Sequence, residues 1–305
     1  MRIVAALGGN ALLERDETPD AEIQQHHILR AVEALAPLSR AHDLVITHGN
    51  GPQVGLLALE SDADPALSRA YPLDVLGAQT QGMIGYWLAQ ALHNAVPTRT
   101  FAALICQTVV NADDPALAHP SKFVGQVYPR TRAEQLARER NWEIRRDGPA
   151  WRRVVPSPMP RQLVELAVIQ RLLDDGMGVI CAGGGGIPVV RDEDGRLRGI
   201  EAVIDKDRTA ALLAELLDAD ALLLLTDVAA VEVGYGTPSA RAIRRTSVEE
   251  LRRRDFPAGS MGPKVEAACD FVQATGHLAA IGRLEDAEAL LLGSKGTAIY
   301  GLAPQ

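Results

Sequence analysis

The stretch Ile3-Val4-Ala5-Ala6-Leu7-Gly8-Gly9-Asn10-Ala11-Leu12 decides the fold class of this chain. The apolar run 3–7 is typical of a short buried strand, and the two glycines that follow allow the backbone to turn sharply. We expect a helix to start at Ala11, so that the strand, the glycine turn and the helix N-terminus form a site for a negative group such as a phosphoryl. An ordinary strand-to-helix loop would explain this stretch equally well if it stood alone.

Two further glycine-rich turns follow apolar runs later in the chain. Gly49-Asn50-Gly51 follows a predicted strand at 44–47, and four glycines at 183–186 follow a predicted strand at 178–182. Strands that alternate with helices form a parallel sheet covered on both faces, and such a sheet binds ligands beyond the carboxyl ends of its strands. All three turns are therefore expected at one sheet edge, and this recurrence favours a phosphate site.

The remaining patterns complete an α/β architecture. Further strands are predicted at 101–110, 221–225, 278–281 and 297–300, and helices at 20–40, 72–93, 160–174, 205–217, 248–253 and 265–275. Residues 111–160 hold many prolines and arginines, which indicates a short β-hairpin lobe inserted in the main fold. Gly82 and Gly85 each cost a helix interior about 1 kcal/mol relative to alanine, so we expect close packing or a ligand beside them.

The composition excludes several classes of protein. The chain has 305 residues, 47% of them hydrophobic, and a net charge of -8. This length supports one large domain or two lobes, and the acidic balance argues against nucleic acid or an anionic membrane as a partner. No stretch has the roughly 18 apolar residues of a membrane helix. The three cysteines are widely spaced, which favours reduced core residues in a cytoplasmic protein, and the histidines show no metal-type spacing.

Two lysines stand at predicted helix starts. Lys206 lies between Asp205 and Asp207, and Lys264 follows Gly262-Pro263. The helix dipole opposes a lysine at this position, so we expect an anion to compensate, although ion pairs at the surface are the usual explanation of a single lysine. Two lysines and several backbone amides can stabilise a phosphoryl group in transfer, with an aspartate holding both lysines in place. A carboxylate-type acceptor is already anionic near neutral pH and needs no general base.

An ordered set of short motifs runs through nearly the whole chain. The motifs are GGNAL at 8–12, HGNGPQVG at 48–55, QGMIGY at 81–86, DP at 114–115, PSK at 120–122, RVVPSP at 153–158, GGGGIP at 183–188, EAVIDKD at 201–207 and GSMGPK at 259–264. No P-loop is among them, and Val54 replaces the third glycine of a dinucleotide fingerprint. Each motif is weak alone, but the ordered set resembles the amino acid kinase superfamily and, within it, the carbamate kinases.

The resemblance implies a fold and a reaction. The fold would be a three-layer sandwich around a mainly parallel central sheet, with a small protruding lobe inserted at about 113–160. A lobe at 1–215 would bind carbamate or carbamoyl phosphate, and a lobe at 216–305 would bind the nucleotide. The reaction would be reversible phosphoryl transfer between ATP and carbamate, running toward ATP in arginine or purine-derived nitrogen breakdown. A homodimer and Mg²⁺ bound with ATP or ADP are also implied.

By position, the resemblance implies roles for individual residues. Lys206 and Lys264 would flank the bridging charge, Asp207 would orient them, and Lys122 would reach in from the protruding lobe. Lys122 lies in a Pro-rich segment at the start of that lobe, and such lobes have few core contacts, so we also expect it to act as a mobile lid residue. The phosphoryl and carbamate would be bound by Gly8, Gly9, Asn10, Gly49, Asn50 and Gly51. The nucleotide would lie near Gly184, Gly185, Thr226, Asp227 and Met261.

Two other functions stay open at this point. The chain could be another superfamily kinase that phosphorylates an amino acid carboxylate, although no motif set for a larger acceptor is present. It could also be a nucleotide-binding regulator without turnover, although the retained lysines argue against that. Ala229 and Glu232 stand where the family usually has an aspartate and a tyrosine, so the adenine and ribose contacts are expected to differ from the family pattern.

Overall fold

The computed structural model describes residues 1–14, 17–257 and 261–301, and of Asn10 it describes the backbone only. The strands are β1 (Arg2–Leu7), β2 (Asp43–His48), β3 (Phe101–Ala103), β4 (Gln107–Val110), β5 (Lys122–Tyr128), β6 (Glu143–Asp147), β7 (Ala150–Val155), β8 (Pro160–Leu163), β9 (Gly178–Ile180), β10 (Ile187–Arg191), β11 (Leu197–Gly199), β12 (Ala221–Thr226), β13 (Glu232–Val233), β14 (Arg241–Ala242), β15 (Arg245–Ser247), β16 (Leu278–Arg283) and β17 (Thr297–Tyr300). The α-helices are α1 (Ala21–Ala41), α2 (Gly51–Ala63), α3 (Leu73–Ala95), α4 (Arg130–Arg140), α5 (Leu166–Asp174), α6 (Lys206–Leu216), α7 (Val248–Arg252), α8 (Met261–Thr275) and α9 (Ala287–Leu291).

The central sheet has eight strands in the order β15-β17-β16-β12-β1-β2-β9-β3. Neighbouring strands run parallel except β16 and β17, which are antiparallel. Alternate residues of β1 enter opposite core layers: Val4 packs with α6 and α8, whereas Ile3 packs with α1 and α3. This arrangement confirms the predicted three-layer sandwich around a mainly parallel sheet. Strands β1 and β12 pair directly in this sheet. The division expected at residue 215 therefore assigns two neighbouring strands of one sheet to different lobes.

The inserted segment forms a small sheet of its own in the order β5-β7-β6, with α4 beside it. The predicted hairpin corresponds to β6 and β7, but α4 was not predicted. Its sequence is almost entirely charged and polar, and only Ala133 and Leu136 are buried, so it shows little apolar periodicity. A separate four-stranded sheet, β11-β10-β4-β8, is built from segments that precede and follow the lobe in the chain.

The prediction of a single strand at 101–110 was wrong. The segment forms two strands, β3 in the central sheet and β4 in the four-stranded sheet. The chain changes sheet at Cys106, whose backbone N–H donates to Gln81 Oε1 at 2.8 Å and whose carbonyl accepts from Gln81 Nε2 at 3.1 Å. Apolar residues stand on both sides of Cys106, so the run itself did not reveal the break.

Two predicted helix starts were also wrong. Residues Gly9–Ala11 form a single 3₁₀ turn, and the first α-helix begins only at Ala21. Residues 160–163 pair with β4 as strand β8, and α5 begins at Leu166. Proline suits a strand start as well as a helix start, and here the exposed edge of β4 supplies a pairing partner.

The three cysteines are buried and unpaired, as predicted. Among the residues that the structure describes, no helix combines the length and apolarity needed to cross a membrane.

Helix α2 meets the inserted lobe at a close backbone contact. A Cβ on Gly55 would lie 2.5 Å from the Cα of Gly125, where β5 bulges. Asp62, further along α2, forms an ion pair with Arg140 of the lobe. The contact between Gly55 and Gly125 limits how closely the lobe can approach α2. Both partners are backbone atoms, which cannot move aside as a flexible side chain can.

Gly55→Ala should therefore destabilise the protein by about 1–3 kcal/mol, the cost of overpacking a closed contact. Gly77→Ala in α3 is the matched control, because a Cβ there meets no atom within 4 Å. The control should gain roughly 0.5–1 kcal/mol from the higher helix propensity of alanine. Urea unfolding of both variants measures the difference, and equal stabilities would contradict the contact between α2 and the lobe.

Candidate active site

The carboxyl ends of three adjacent strands bring the predicted glycine turns together. In the sheet register, Leu7 of β1 stands beside Leu225 of β12 and His48 of β2. The N–H of Gly8 donates to the Leu225 carbonyl at 2.9 Å, and the N–H of Gly49 donates to the Leu7 carbonyl at 3.0 Å. The turns after β1 and β2 therefore begin at the same edge of the sheet, and Thr226 at the end of β12 lies beside them.

The first two glycine turns touch each other directly. A Cβ on Gly49 would lie 2.9 Å from both the N and the Cα of Gly9, so only glycine permits this approach. Helix α2 begins at Gly51, immediately after the second turn. The unpaired N–H groups and positive dipole end of α2 therefore point at this edge, which favours an anion there.

Hydrogen bonds of the Asn50 and His48 side chains hold the second glycine turn in place. The Asn50 side chain donates through Nδ2 to the hydroxyl of Thr80 at 2.9 Å. His48 is buried, and its Nδ1 lies 3.0 Å from the Gly49 carbonyl, to which it donates. Burial, with a smaller effect from the charge of Lys206, lowers the pKa of His48 to about 4. The imidazole is therefore neutral at pH 7 and holds the Gly49 peptide without adding charge.

The third glycine turn packs against the second. A Cβ on Gly183 would lie 2.3 Å from the His48 ring, and one on Gly184 would lie 2.2 Å from Asn50 Nδ2. The Gly185 carbonyl accepts from the hydroxyl of Thr209 in α6 at 2.9 Å. This turn therefore joins the end of β9 to the first turn of α6. Gly184 and Gly185, which were predicted near the nucleotide, lie beside Asn50 and α6.

Helix α6 begins with a cluster of carboxylates and lysines. Asp205 is its N-cap, and Asp205 Oδ1 accepts from the backbone N–H groups of Asp207 at 3.0 Å and Arg208 at 3.2 Å. Asp207 Oδ1 lies 2.5 Å from Lys206 Nζ, and Asp207 Oδ2 lies 2.8 Å from Lys264 Nζ. One carboxylate thus joins lysines from α6 and α8, and the three side chains are only 5–14% exposed.

Lys206, Lys264 and Asp207, taken by themselves, carry an excess of positive charge. Burial raises the pKa of Asp207, but the two lysine charges outweigh it and hold the pKa well below its usual range. Burial lowers the pKa of Lys206, whereas at Lys264 the effect of Asp207 overcomes burial and raises the pKa. An ionised Asp207 within 2.8 Å of both ammonium groups favours their charged forms. These three side chains together hold two cations and one anion, and a bound phosphoryl would balance the difference.

Lys122 reaches the same cluster from the lobe. Its Nζ lies 2.5 Å from Asp205 Oδ2, although it is 83 residues away in the chain. Burial raises the pKa of Asp205, but the charge and hydrogen bond of Lys122, together with the charge of Lys206, outweigh it and lower the pKa. The structure thus brings all three predicted lysines to the start of α6. Sequence reasoning did not identify Asp205 or His48 as site residues, although both lie inside the motifs at 201–207 and 48–55.

Three other residues predicted to contact the nucleotide, Thr226, Asp227 and Met261, lie at the end of β12 and the start of α8. The Thr226 hydroxyl donates to Asp227 Oδ1 at 3.1 Å at the end of β12. Asp227 is near enough to Lys264 for its charge to contribute to the raised pKa of that lysine. Met261 begins α8, in the same turn as Lys264, and packs against the core. The side chain of Asn10 and residues 259–260 of the last motif lie outside the described residues.

The chain is similar to known proteins along nearly its whole length. Residues 1–282 match the Amino acid kinase family. A carbamate kinase of Rhizobium meliloti (strain 1021) is 53% identical over 302 residues, covering 98% of this chain and 93% of that protein. A carbamate kinase of Haemophilus influenzae is 51% identical, covering 98% and 96%. The structure of a carbamate kinase from Giardia lamblia bound to AMP-PNP superposes with a TM-score of 0.88 at 38% identity, covering 98% of each chain.

Replacing the central carboxylate tests the cluster by stability alone. Asp207→Asn should lower the free energy of unfolding by about 3 kcal/mol at pH 7, because it leaves two buried lysines without their counter-charge. The folded-state pKa of Asp207 is lowered, so its contribution is complete above the unfolded-state pKa of about 3.9 and is lost as the pH falls toward the folded-state value. The gap between wild type and variant should therefore narrow below about pH 4.

Asp194→Asn is the control, because its side chain is 74% exposed and its nearest cation is 3.8 Å away. This substitution should change stability by less than about 0.5 kcal/mol. Urea unfolding from pH 3 to pH 8 measures both variants. An Asp207→Asn protein as stable as Asp194→Asn at pH 7 would contradict the ion cluster.

Proposed function

We propose that this chain, which belongs to the amino acid kinase family and within it to the carbamate kinases, catalyses reversible phosphoryl transfer between ATP and carbamate. In one direction the γ-phosphoryl of ATP passes to a carbamate oxygen, which gives ADP and carbamoyl phosphate. In the other direction carbamoyl phosphate and ADP give ATP and carbamate. The observation that carries the proposal is the Asp207 carboxylate, which holds Lys206 and Lys264 together beside the glycine turns.

The chemistry needs charge stabilisation more than proton transfer. A transferring phosphoryl spreads negative charge over its oxygens, and positioned cations stabilise that charge in a site with little water. Lys206 and Lys264 supply the cations, and Asp207 fixes their positions. Carbamate carries its own negative charge, so the reaction requires no general base, and the neutral His48 has only a positioning role.

The glycine turns bind the anionic groups. The backbone N–H groups of Gly9 and Gly51 and the N-terminus of α2 surround the space where the phosphoryl and carbamate would lie. Gly8 and Gly49 would shape this space through their backbone, because their own N–H groups pair with the carbonyls of Leu225 and Leu7. The contact between Gly9 and Gly49 leaves no room for side chains between the turns, which suits a very small acceptor. Asn10 and Asn50 would complete the polar lining, and Lys122 would approach from the lobe.

The nucleotide is proposed to lie near Gly184, Gly185, Thr226, Asp227 and Met261, with Mg²⁺ arriving as part of the substrate. Mg²⁺ usually binds phosphate oxygens, water and one or two carboxylates. Within the described parts of the chain, no cluster of three or more potential metal-ligating side chains occurs. The nucleotide phosphates would therefore supply most of the ligands of the ion.

The alternative functions have less support. A kinase for an amino acid carboxylate would need space for a larger acceptor between the first two glycine turns. A regulator without turnover would not need two buried lysines. Burying a charged lysine is costly, and a substrate anion that pairs with it would offset that cost. Similarity at about half identity to carbamate kinases, over 98% of this chain, also favours catalysis.

A homodimer is proposed to form through the exposed side of α3 and the edge strand β3. Tyr86 is 57% exposed and Ile105 is 54% exposed, and both lie beside the tight contact between Gly85 and Ala103. The contact with Ala103 supports the close packing that was predicted beside Gly85. A Cβ on Gly82 of the same helix would meet no atom within 4 Å, so close packing does not explain that glycine. An apolar edge strand with an exposed apolar helix beside it is typical of a surface that another chain covers.

The compartment and the lobe boundaries also remain proposals. Three buried and unpaired cysteines support a reducing compartment such as the cytoplasm. The proposed division keeps a carbamate-binding lobe at 1–215, the protruding lobe at about 113–160 and a nucleotide-binding lobe at 216–305.

Formation of ATP from ADP and carbamoyl phosphate tests the proposed function. The purified protein should form ATP with carbamoyl phosphate and none with acetylglutamyl phosphate at the same concentration. ATP formation with the second donor only would favour a kinase for amino acid carboxylates. Nucleotide binding without ATP formation from either donor would favour the regulator.

Removing either lysine should slow the reaction without unfolding the protein. Lys206→Ala and Lys264→Ala should each lower kcat by roughly 10²–10³-fold, the scale for one preorganised electrostatic stabiliser. Lys295→Ala is the control, because Lys295 pairs with Asp286 at 2.6 Å with 58% of its side chain exposed. Steady-state kinetics and circular dichroism give the comparison, and near-normal turnover in a folded variant would remove that lysine from the site.

A charge on α3 should separate the proposed dimer. Tyr86→Asp should yield a monomer in light scattering after size-exclusion chromatography, because a buried carboxylate at the interface would lack a partner. Tyr235→Asp is the control, since Tyr235 is 68% exposed in the loop between β13 and β14. A dimer that survives Tyr86→Asp unchanged would contradict the α3 interface.

A further inference from the structure

Asp205 uses its two carboxylate oxygens for different purposes. Oδ1 accepts the N–H groups of Asp207 and Arg208 and so caps α6. Oδ2 lies 2.5 Å from Lys122 Nζ, which belongs to the first residue of the lobe strand β5. The side chain is only 9% exposed, so neither interaction is made with a fully solvated group. A single residue therefore joins the lobe to the helix that carries Lys206 and Asp207.

Lys122 keeps donor capacity beyond this ion pair. A lysine ammonium has three N–H donors, and pairing with Asp205 uses one of them. Its side chain is still 41% exposed, in contrast to the buried Lys206 and Lys264. The ammonium can therefore contact an anion while Asp205 continues to hold it.

We infer that Asp205 is a positioning residue that orders Lys122 over the substrate site, so that the lobe lysine binds carbamoyl phosphate in a geometry set before the substrate arrives. This inference rests on the proposed function. A free lysine side chain loses considerable rotamer freedom on binding, and Asp205 removes that loss in advance. Recognition of the small substrate is thereby linked to the first turn of α6.

The lobe has other attachments that do not order Lys122. Arg153 of β7 forms an ion pair with Glu201 at 2.8 Å, and Glu201 also accepts the N–H of Leu73 at the start of α3. The Val203 N–H donates to the Pro156 carbonyl at 3.0 Å. The lobe would therefore stay attached without the Asp205 charge, which separates ordering of Lys122 from docking of the lobe.

Asp205→Asn tests the inference, because asparagine caps a helix about as well as aspartate but carries no charge. The variant should melt close to the wild-type temperature, whereas Asp205→Ala should melt lower because it also loses the cap. In the assay of ATP formation, Asp205→Asn should raise the KM for carbamoyl phosphate about tenfold, the change that a cost of roughly 1.4 kcal/mol in side-chain ordering produces. The KM for ADP should stay within about twofold of wild type.

A double-mutant cycle with Lys122 gives the decisive comparison. Lys122→Met should raise the KM for carbamoyl phosphate at least as much as Asp205→Asn, and the double variant should be no worse than Lys122→Met alone. Glu201→Gln is the matched control, since it removes a carboxylate from the same segment but one paired with Arg153. Glu201→Gln should change the KM for carbamoyl phosphate only slightly, and by the same factor with and without Lys122, because its ion pair is half exposed.

Three results would overturn the inference. If Asp205→Asn lowered the KM for carbamoyl phosphate, Asp205 would compete with the substrate for Lys122. If its effect were as large in the Lys122→Met background, Asp205 would act through α6 and not through Lys122. An unchanged KM in a wild-type-like protein would remove the role, whereas absence of ATP formation in the wild type would instead reject the proposed function.

Discussion

The site depends on one buried carboxylate. Asp207 lies within 2.8 Å of two lysines, from α6 and from α8, which are adjacent in space but 58 residues apart in the chain at positions 206 and 264. Without the carboxylate, two buried ammonium groups would repel each other across a short distance. The packing of α6 against α8 on one face of the sheet, the N-cap of α6 and the position of the lobe lysine all adjoin this cluster. Lys206, Lys264 and Asp207 together leave a net positive charge for the substrate to neutralise.

The glycine turns bring backbone groups close to this charge. Parallel strands end at a common edge, and the chain must leave that edge within a few residues. Here the turns after β1 and β2 touch through Gly9 and Gly49, and the turn after β9 packs on His48 and Asn50. Side chains at these glycines would fill the region between the sheet edge and α6. The fold therefore gathers backbone groups at the sheet edge and supplies the charge from the two helices.

Much of this arrangement could be predicted from sequence, and the exceptions have physical causes. The strand before Gly8 and the bridging role of an aspartate between two lysines follow from local patterns. The change of sheet at Cys106 depends on the side chain of Gln81, which no apolar run reveals. The pair of Lys122 and Asp205 depends on how the lobe docks on α2 through Gly55 and Gly125, a contact between distant segments. Helix α4 has too few apolar positions to show a period.

The central claim is that Asp207 makes Lys206 and Lys264 act as one unit on the transferring phosphoryl. Groups that act as a unit have strongly non-additive effects on rate. The most direct measurement is kcat for ATP formation in the double variant Lys206→Ala with Lys264→Ala, compared with each single variant and the wild type. The account predicts that the double variant is slower than the worse single variant by less than about tenfold. A loss equal to the product of the two single losses would contradict it, because each lysine would then act independently.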